Sequence, residues 1–171
     1  MAQWLEVLKQ GLPDYAKDIR LNLDAVILRS TLDPVVAEGC ALAAAVATGN
    51  GSIVGRIYQG MTDEVERDAA MAAASLMAQN NIWYPFVEMA NDQSLKGLPA
   101  QLRMNAIASH GGTTKVRFES YSLCASIVGK CNYCVKAHYD LLKQEGYTIE
   151  QLRDIGRVAA VMTAVCKLLV G

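Results

Sequence analysis

The sequence predicts an all-α, single-domain helical bundle, and three observations carry that prediction. Apolar residues recur at helical spacing almost everywhere, as in Trp4, Leu5, Leu8 and Leu12, in Ile19, Leu23, Val26 and Ile27, and in Leu102, Met104, Ile107 and Ala108. No segment alternates as a half-buried strand would. The chain is 52% hydrophobic but only 6% aromatic, so its interior must be built by close approach of small side chains, chiefly alanine, the best intrinsic helix former. At 171 residues one core is expected, because two would each be marginally small, and the whole span 1–171 is read as one domain.

The elements follow in order from their start and stop signals. Leu12-Pro13-Asp14 ends a short first helix, and Thr31-Leu32-Asp33-Pro34 supplies a cap followed by proline at the start of a small-residue helix over 34–48. Gly49-Asn50-Gly51-Ser52 closes that helix and caps the next. Thr62 or Asp63 then caps an alanine-rich run from Glu64 to Asn80. Asn91 to Pro99 reads as a loop, Pro99 as the start of a helix to about Ala108, and Ser109 to Thr114 as the clearest turn cluster. A helix over roughly 115–128 precedes a break at Gly129. The next helix carries the segment GKCNYCVKAHYD and ends near Gly146, and Thr148 with Gln151 forms a capping box for the last. Eight or so helices are expected.

Charge and composition remove several function classes. A formal charge of -1 with scattered Lys and Arg argues against nucleic acid, whose phosphates demand clustered cations. The first residues lack a basic region followed by an apolar run, and the stretch GCALAAAVATG is too short to span a bilayer, so no membrane association and a cytoplasmic location are expected. Five cysteines, Cys40, Cys124, Cys131, Cys134 and Cys166, are an odd number with three in one segment, unlike a secreted disulfide framework. In a reducing compartment a C-x-x-C pair points to catalysis or metal binding.

On a helix, Cys131, Cys134 and His138 stand at i, i+3 and i+7 and share a face. Cys134 and His138 are an i, i+4 pair, within reach for the imidazole to take the thiol proton directly or through one water. A helix N-terminus and an imidazolium both lower a thiol pKa, so a reactive thiolate is expected in the first turn. Glu119 is the further candidate. On one continuous helix it would lie about 18 Å from Cys131, so only a chain reversal at Gly129 could bring it up to orient the ring. Two alternatives stay open on spacing alone. Cys131, Cys134, His138 and Glu119 have the donor types of a zinc site in a binding module, or the thiols could form a redox couple. Cys40, Cys124 and Cys166 read as small core hydrophobes, Met71 and Met77 as core fillers, His110 as a loop residue, and Tyr133 and Tyr139 as flanks of the site.

The pattern E-x11-C-x2-C-x3-H, set by Glu119, Cys131, Cys134 and His138, resembles the AhpD family of alkyl hydroperoxide reductases, in the carboxymuconolactone decarboxylase-like superfamily. LPDYAKDIRLNL, NNIWYPF, LRMNAIAS and KVRFESYSL extend the likeness over nearly the whole chain. The resemblance implies an AhpD-like helical fold, a homo-oligomer and commonly a trimer, and an antioxidant thiol peroxidase that needs no bound cofactor. It assigns peroxide attack and a sulfenic acid to Cys134, and to Cys131 resolution as the Cys131–Cys134 disulfide and a mixed disulfide with the partner. Glu119 and His138 take the proton relay. It further implies that an AhpC-type peroxiredoxin is regenerated, with electrons from dihydrolipoamide on a lipoyl carrier protein. Tyr133 stands where well-known members of the family carry a histidine, and a phenol, with its pKa near 10, bears on the direct peroxidase step more than on disulfide exchange. A decarboxylase-branch enzyme acting on a lactone is the rival within the superfamily, and it would not depend on the cysteine pair.

Overall fold

The computed structural model describes residues 3–169; the ends of the expected 1–171 domain, residues 1–2 and 170–171, lie outside the described residues. Among the described residues there are ten α-helices and no strand: α1 (Gln3–Gly11), α2 (Lys17–Ile27), α3 (Pro34–Thr48), α4 (Gly51–Gly60), α5 (Glu64–Ala90), α6 (Gln93–Lys96), α7 (Asn105–Ser109), α8 (Lys115–Gly129), α9 (Asn132–Gln144) and α10 (Ile149–Leu168). None is long and apolar enough to cross a membrane.

Helix α3 is the hub, packed by α5, α8 and α10. Val36, Ala37 and every residue from Gly39 to Ala45 are buried, and small side chains there let the neighbouring helix axes approach closely. Gly39 is required by packing: a Cβ at this position would occupy the ring of Tyr121 on α8. The larger core residues Trp4, Leu5 and Leu8 of α1, Leu23 of α2, and Phe118 and Leu123 of α8 are fully buried, each stabilising the fold by about 1.5–3 kcal/mol relative to exposure.

The caps behave as the side-chain chemistry dictates. Asp33, Asn50, Asp63 and Thr114 each accept a hydrogen bond from a backbone N–H in the first turn of α3, α4, α5 and α8. Thr148 and Gln151 form the reciprocal box at the start of α10. Buried Asp154 of α10 pins the loop before α3, accepting from Thr31 N–H at 2.8 Å and from the hydroxyls of Thr31 and Ser30, with Arg153 and Arg157 on its other oxygen.

Four expectations need correction. The alanine-rich helix does not stop at Asn80 but runs through Pro85 to Ala90, because proline removes one N–H without preventing helical φ and the flanking turns are held by packing. The expected loop at 91–99 contains the short α6, capped by Asp92. Pro99 starts no helix: Gln101 has a left-handed φ of 52°, which a continuous helix forbids, and α7 begins only at Asn105. The helix count is correspondingly higher than eight.

Candidate active site

Helix α8 is buried around its circumference from Phe118 to Ser126, which forces Glu119, Ser120, Ser122 and Ser126 into the interior. Buried polar groups on a central helix need partners. Ser120 donates to Val116 O at 2.8 Å and also meets the hydroxyl of Tyr147. Glu119, only 5% exposed, faces the helix that follows.

The chain reverses between α8 and α9 through a Schellman turn: Cys131 N–H donates to Ser126 O and Lys130 N–H to Ile127 O. The left-handed residue is Lys130, with φ of 55°, and not Gly129. Gly129 is there for space, because a Cβ would overlap the Asn81 side chain of α5. The break expected at Gly129 thus exists one residue later, and the glycine serves the contact between α8 and α5.

The turn delivers Cys131 to the N-cap of α9 and Cys134 to its first turn, where Cys131 Sγ accepts from Cys134 N–H at 3.2 Å. The two sulfurs are joined as a disulfide, and both residues are buried. Cys131 therefore lies just outside the helix that the i, i+3, i+7 pattern assumed. Negative charge on its sulfur, once reduced, is stabilised by the N-terminus of α9. Cys134 Sγ lies 3.7 Å from the carbonyl oxygen of Asn80 on α5, a contact into which the reduced thiol can donate.

His138, one turn further along α9, points to Glu119: its Nδ1 is 2.5 Å from Glu119 Oε2. An ionised carboxylate only accepts, so Nδ1 carries the proton and the ring is held in one orientation and tautomer. The other nitrogen, Nε2, lies 3.2 Å from Met77 Sδ of α5. Glu119 and Met77 thus face the two nitrogens, and among the described residues no hydrogen bond joins His138 to the sulfur of Cys131 or Cys134. The direct thiol–imidazole contact expected from i, i+4 spacing is absent in this oxidised form. With the proton on Nδ1, Nε2 carries a free lone pair that the thioether, having no N–H or O–H, cannot satisfy, so Nε2 is the nitrogen that can turn to accept a proton from another partner at little cost.

Tyr133, between the two cysteines, is 59% exposed and stacks on Tyr84 of α5 with ring centroids 4.3 Å apart. Burial raises the pKa of Tyr84, and the facing phenol of Tyr133 adds to the effect. Tyr139 is half-buried against the core. The remaining cysteines are buried and unbridged, and burial pushes the Cys40 thiol well up, with Cys124 beside it adding to the shift. His110 caps the C-terminal end of α7 in a left-handed conformation, away from the cysteine pair. Among the described residues no three His, Cys, Asp or Glu side chains are grouped to hold a metal ion.

Helix α5 supplies what sequence reasoning missed. Met77, read as core filler, is buried and also packs on His138, while Asn80 presents its carbonyl to Cys134. Asn81 donates to Ala125 O of α8 at 3.2 Å. The available signal was two adjacent asparagines in an alanine run, followed four residues later by Pro85, whose missing N–H leaves the Asn81 carbonyl without its helical donor.

Residues 94–170 match the carboxymuconolactone decarboxylase family. The chain is 40% identical over 168 residues to the alkyl hydroperoxide reductase AhpD of Rhodospirillum centenum, covering 96% of this chain and 90% of the relative. The protein of the same name from Coxiella burnetii is 39% identical over 170 residues, covering 96% of each. The one from Brucella canis is 37% identical, covering 92% of this chain and 91% of the relative.

Proposed function

We propose, because this chain belongs to the alkyl hydroperoxide reductase AhpD family, that it reduces alkyl hydroperoxides through a dithiol–disulfide cycle of Cys134 and Cys131. The observation that carries the proposal is the joint placement of the bridged pair at the start of α9 and the Glu119–His138 couple one turn along it.

The thiolate of Cys134 attacks the distal peroxide oxygen, the O–O bond breaks, and the alcohol leaves after taking one proton, with Cys134 left as sulfenic acid. Cys131 thiolate then attacks that sulfur and expels hydroxide, which leaves as water once protonated, giving the disulfide. Each cysteine has its own source of activation. Cys131 stands at the N-cap of α9 with its sulfur facing the first-turn N–H of Cys134, the placement of a resolving nucleophile, whereas Cys134 relies on His138 Nε2 turning from Met77 to take its proton, with Glu119 steadying Nδ1. Dihydrolipoamide on a lipoyl carrier returns two electrons and two protons and becomes the cyclic disulfide; no bound cofactor is needed. Cys131 forms the mixed disulfide through which an AhpC-type peroxiredoxin is regenerated, work that fits a cytoplasmic protein.

A homo-oligomer, with a trimer the count the family resemblance implies, is supported by α5. Ile82, Phe86 and Met89, at i, i+4 and i+7, are exposed on the side opposite to Met77, Asn80 and Tyr84, and a second copy would cover them.

The test is anaerobic peroxide consumption by the purified protein with dihydrolipoamide as donor. Stoichiometric oxidation of the dithiol, lost in Cys134→Ser, is expected. Full retention in that variant, or lactone turnover that survives it, would sink the proposal.

A further inference from the structure

Resting on the dithiol–disulfide cycle, we infer that Tyr84 and Tyr133 form an aromatic gate that controls the access of reducing thiols to the Cys131–Cys134 disulfide. Exchange requires an incoming thiolate to touch a disulfide sulfur. Yet Cys131 is 0% and Cys134 3% exposed, so part of the surrounding wall must move. Three sides are fixed. On α5 the Asn80 carbonyl lies 3.7 Å from Cys134 Sγ, on α8 the Ser126 carbonyl accepts from Cys131 N–H, and along α9 His138 is held by buried Glu119.

The fourth side is the stack. Tyr84 follows Asn80 by one turn of α5 and Tyr133 stands between the cysteines, so their rings, with centroids 4.3 Å apart, bridge the seam between α5 and the start of α9. Beyond them lies a cleft of about 540 Å³ whose walls include Trp83, Val87 and Lys136. Tyr133 is 59% exposed, and rotation of its side chain into that cleft uncovers the pair without moving a helix. A dithiol then enters: its thiolate attacks Cys131 Sγ, the Cys131–Cys134 bond breaks and Cys134 leaves as thiolate. The donor's second thiolate displaces Cys131 and closes the donor's own disulfide. Rotamer exchange of an exposed side chain is far faster than thiol–disulfide exchange, so the rate of reduction scales with the fraction of open gate. The equilibrium does not, because the gate stands before the oxidised and the reduced pair alike.

The test is the rate at which dithiothreitol reduces the oxidised protein, followed by acid quenching, alkylation and mass spectrometry, together with the equilibrium constant of the same exchange. Tyr133→Ala and Tyr84→Ala should each speed reduction about 3- to 10-fold, the loss of one aromatic stack, with the equilibrium constant unchanged within about twofold. The double variant should be no faster than either single one, because both remove the same contact. Tyr133→Phe keeps the ring without the hydroxyl and should keep the wild-type rate. An unchanged or slower rate in Tyr133→Ala, a rise matched by the equilibrium constant, full additivity in the double variant, or a Tyr133→Phe rate equal to that of Tyr133→Ala overturns the inference. Should Tyr84→Ala fail to fold, the variants at exposed Tyr133 decide alone. No peroxide takes part, so this outcome is separate from that of the peroxidase proposal, which fails if no hydroperoxide is consumed.

Discussion

Two buried glutamates on the packed helices α5 and α8 show how the same side chain serves opposite ends. Glu66, 3% exposed, is saturated: Oε1 accepts from Thr113 and Arg117, both at 2.6 Å, and Oε2 from the Tyr121 hydroxyl at 2.5 Å. Glu119 is as deeply buried, yet among the described residues its hydrogen-bonding side-chain partner is the imidazole of His138 alone. A carboxylate held by three donors, one of them a guanidinium, acts as a clamp between α5 and α8. A carboxylate facing one imidazole sets the direction of that ring. The clamp raises the pKa of its partners: Tyr121 is pushed far above the usual phenol range, by burial first and by the bond to Glu66 second.

Substitution separates the two roles. Glu66→Ala leaves Arg117 and Tyr121 without their acceptor, and denaturant unfolding should register a loss of about 3–5 kcal/mol while the folded fraction keeps its turnover per molecule. Glu119→Gln should do the reverse. Its amide oxygen still accepts from Nδ1–H, so stability changes by about 1 kcal/mol or less, but it no longer carries the charge that steadies the ring in proton transfer, and turnover should fall about 100-fold. Should Glu119→Gln unfold the protein and Glu66→Ala spare it, the contrast would be reversed.

A third carboxylate sharpens the comparison through pH. Burial alone would raise the pKa of Asp154, but the Thr31 N–H, Arg157, the Thr31 hydroxyl and Arg153 outweigh it and hold the carboxyl below the ordinary range. Its stabilising effect is therefore complete above the unfolded-state pKa of about 4 and is lost as pH falls through the lower folded value. Asp154→Asn should cost about 2 kcal/mol at pH 7, and the gap from wild type should close on acidification below about pH 4. A gap independent of pH would contradict the charge-based explanation.

How much of this was legible in the sequence differs by kind of contact. Local signals were legible: the caps at Asp33, Asp63 and Thr148 and the span of α8 follow from side chains acting within a few residues of themselves. Glu119 and His138 were identified, and the need for a reversal between them followed from helix rise. What could not be read was the direction of the ring, because its competing partner Met77 lies 61 residues away on α5. Asn80 and Asn81 were missed for the same reason. Pro99 misled because proline permits a helix start without enforcing one, and the left-handed Gln101 was invisible.

The smallest effect concerns the turn itself. Lys130 holds a left-handed conformation that glycine adopts without a Cβ penalty, so Lys130→Gly should raise stability by about 1 kcal/mol without altering the Cys131–Cys134 pair. A decrease would mean that the lysine side chain contributes more than its backbone costs.

The division of labour between the two sulfurs is tested most directly by trapping the first oxidation product. Reduced Cys131→Ser and Cys134→Ser proteins are each mixed with one equivalent of cumene hydroperoxide in the presence of a sulfenic-acid-specific reagent, and the adduct is located by mass spectrometry. An adduct on Cys134 in Cys131→Ser, with none in Cys134→Ser, is the predicted result; an adduct on Cys131 in Cys134→Ser, formed as fast, would contradict it.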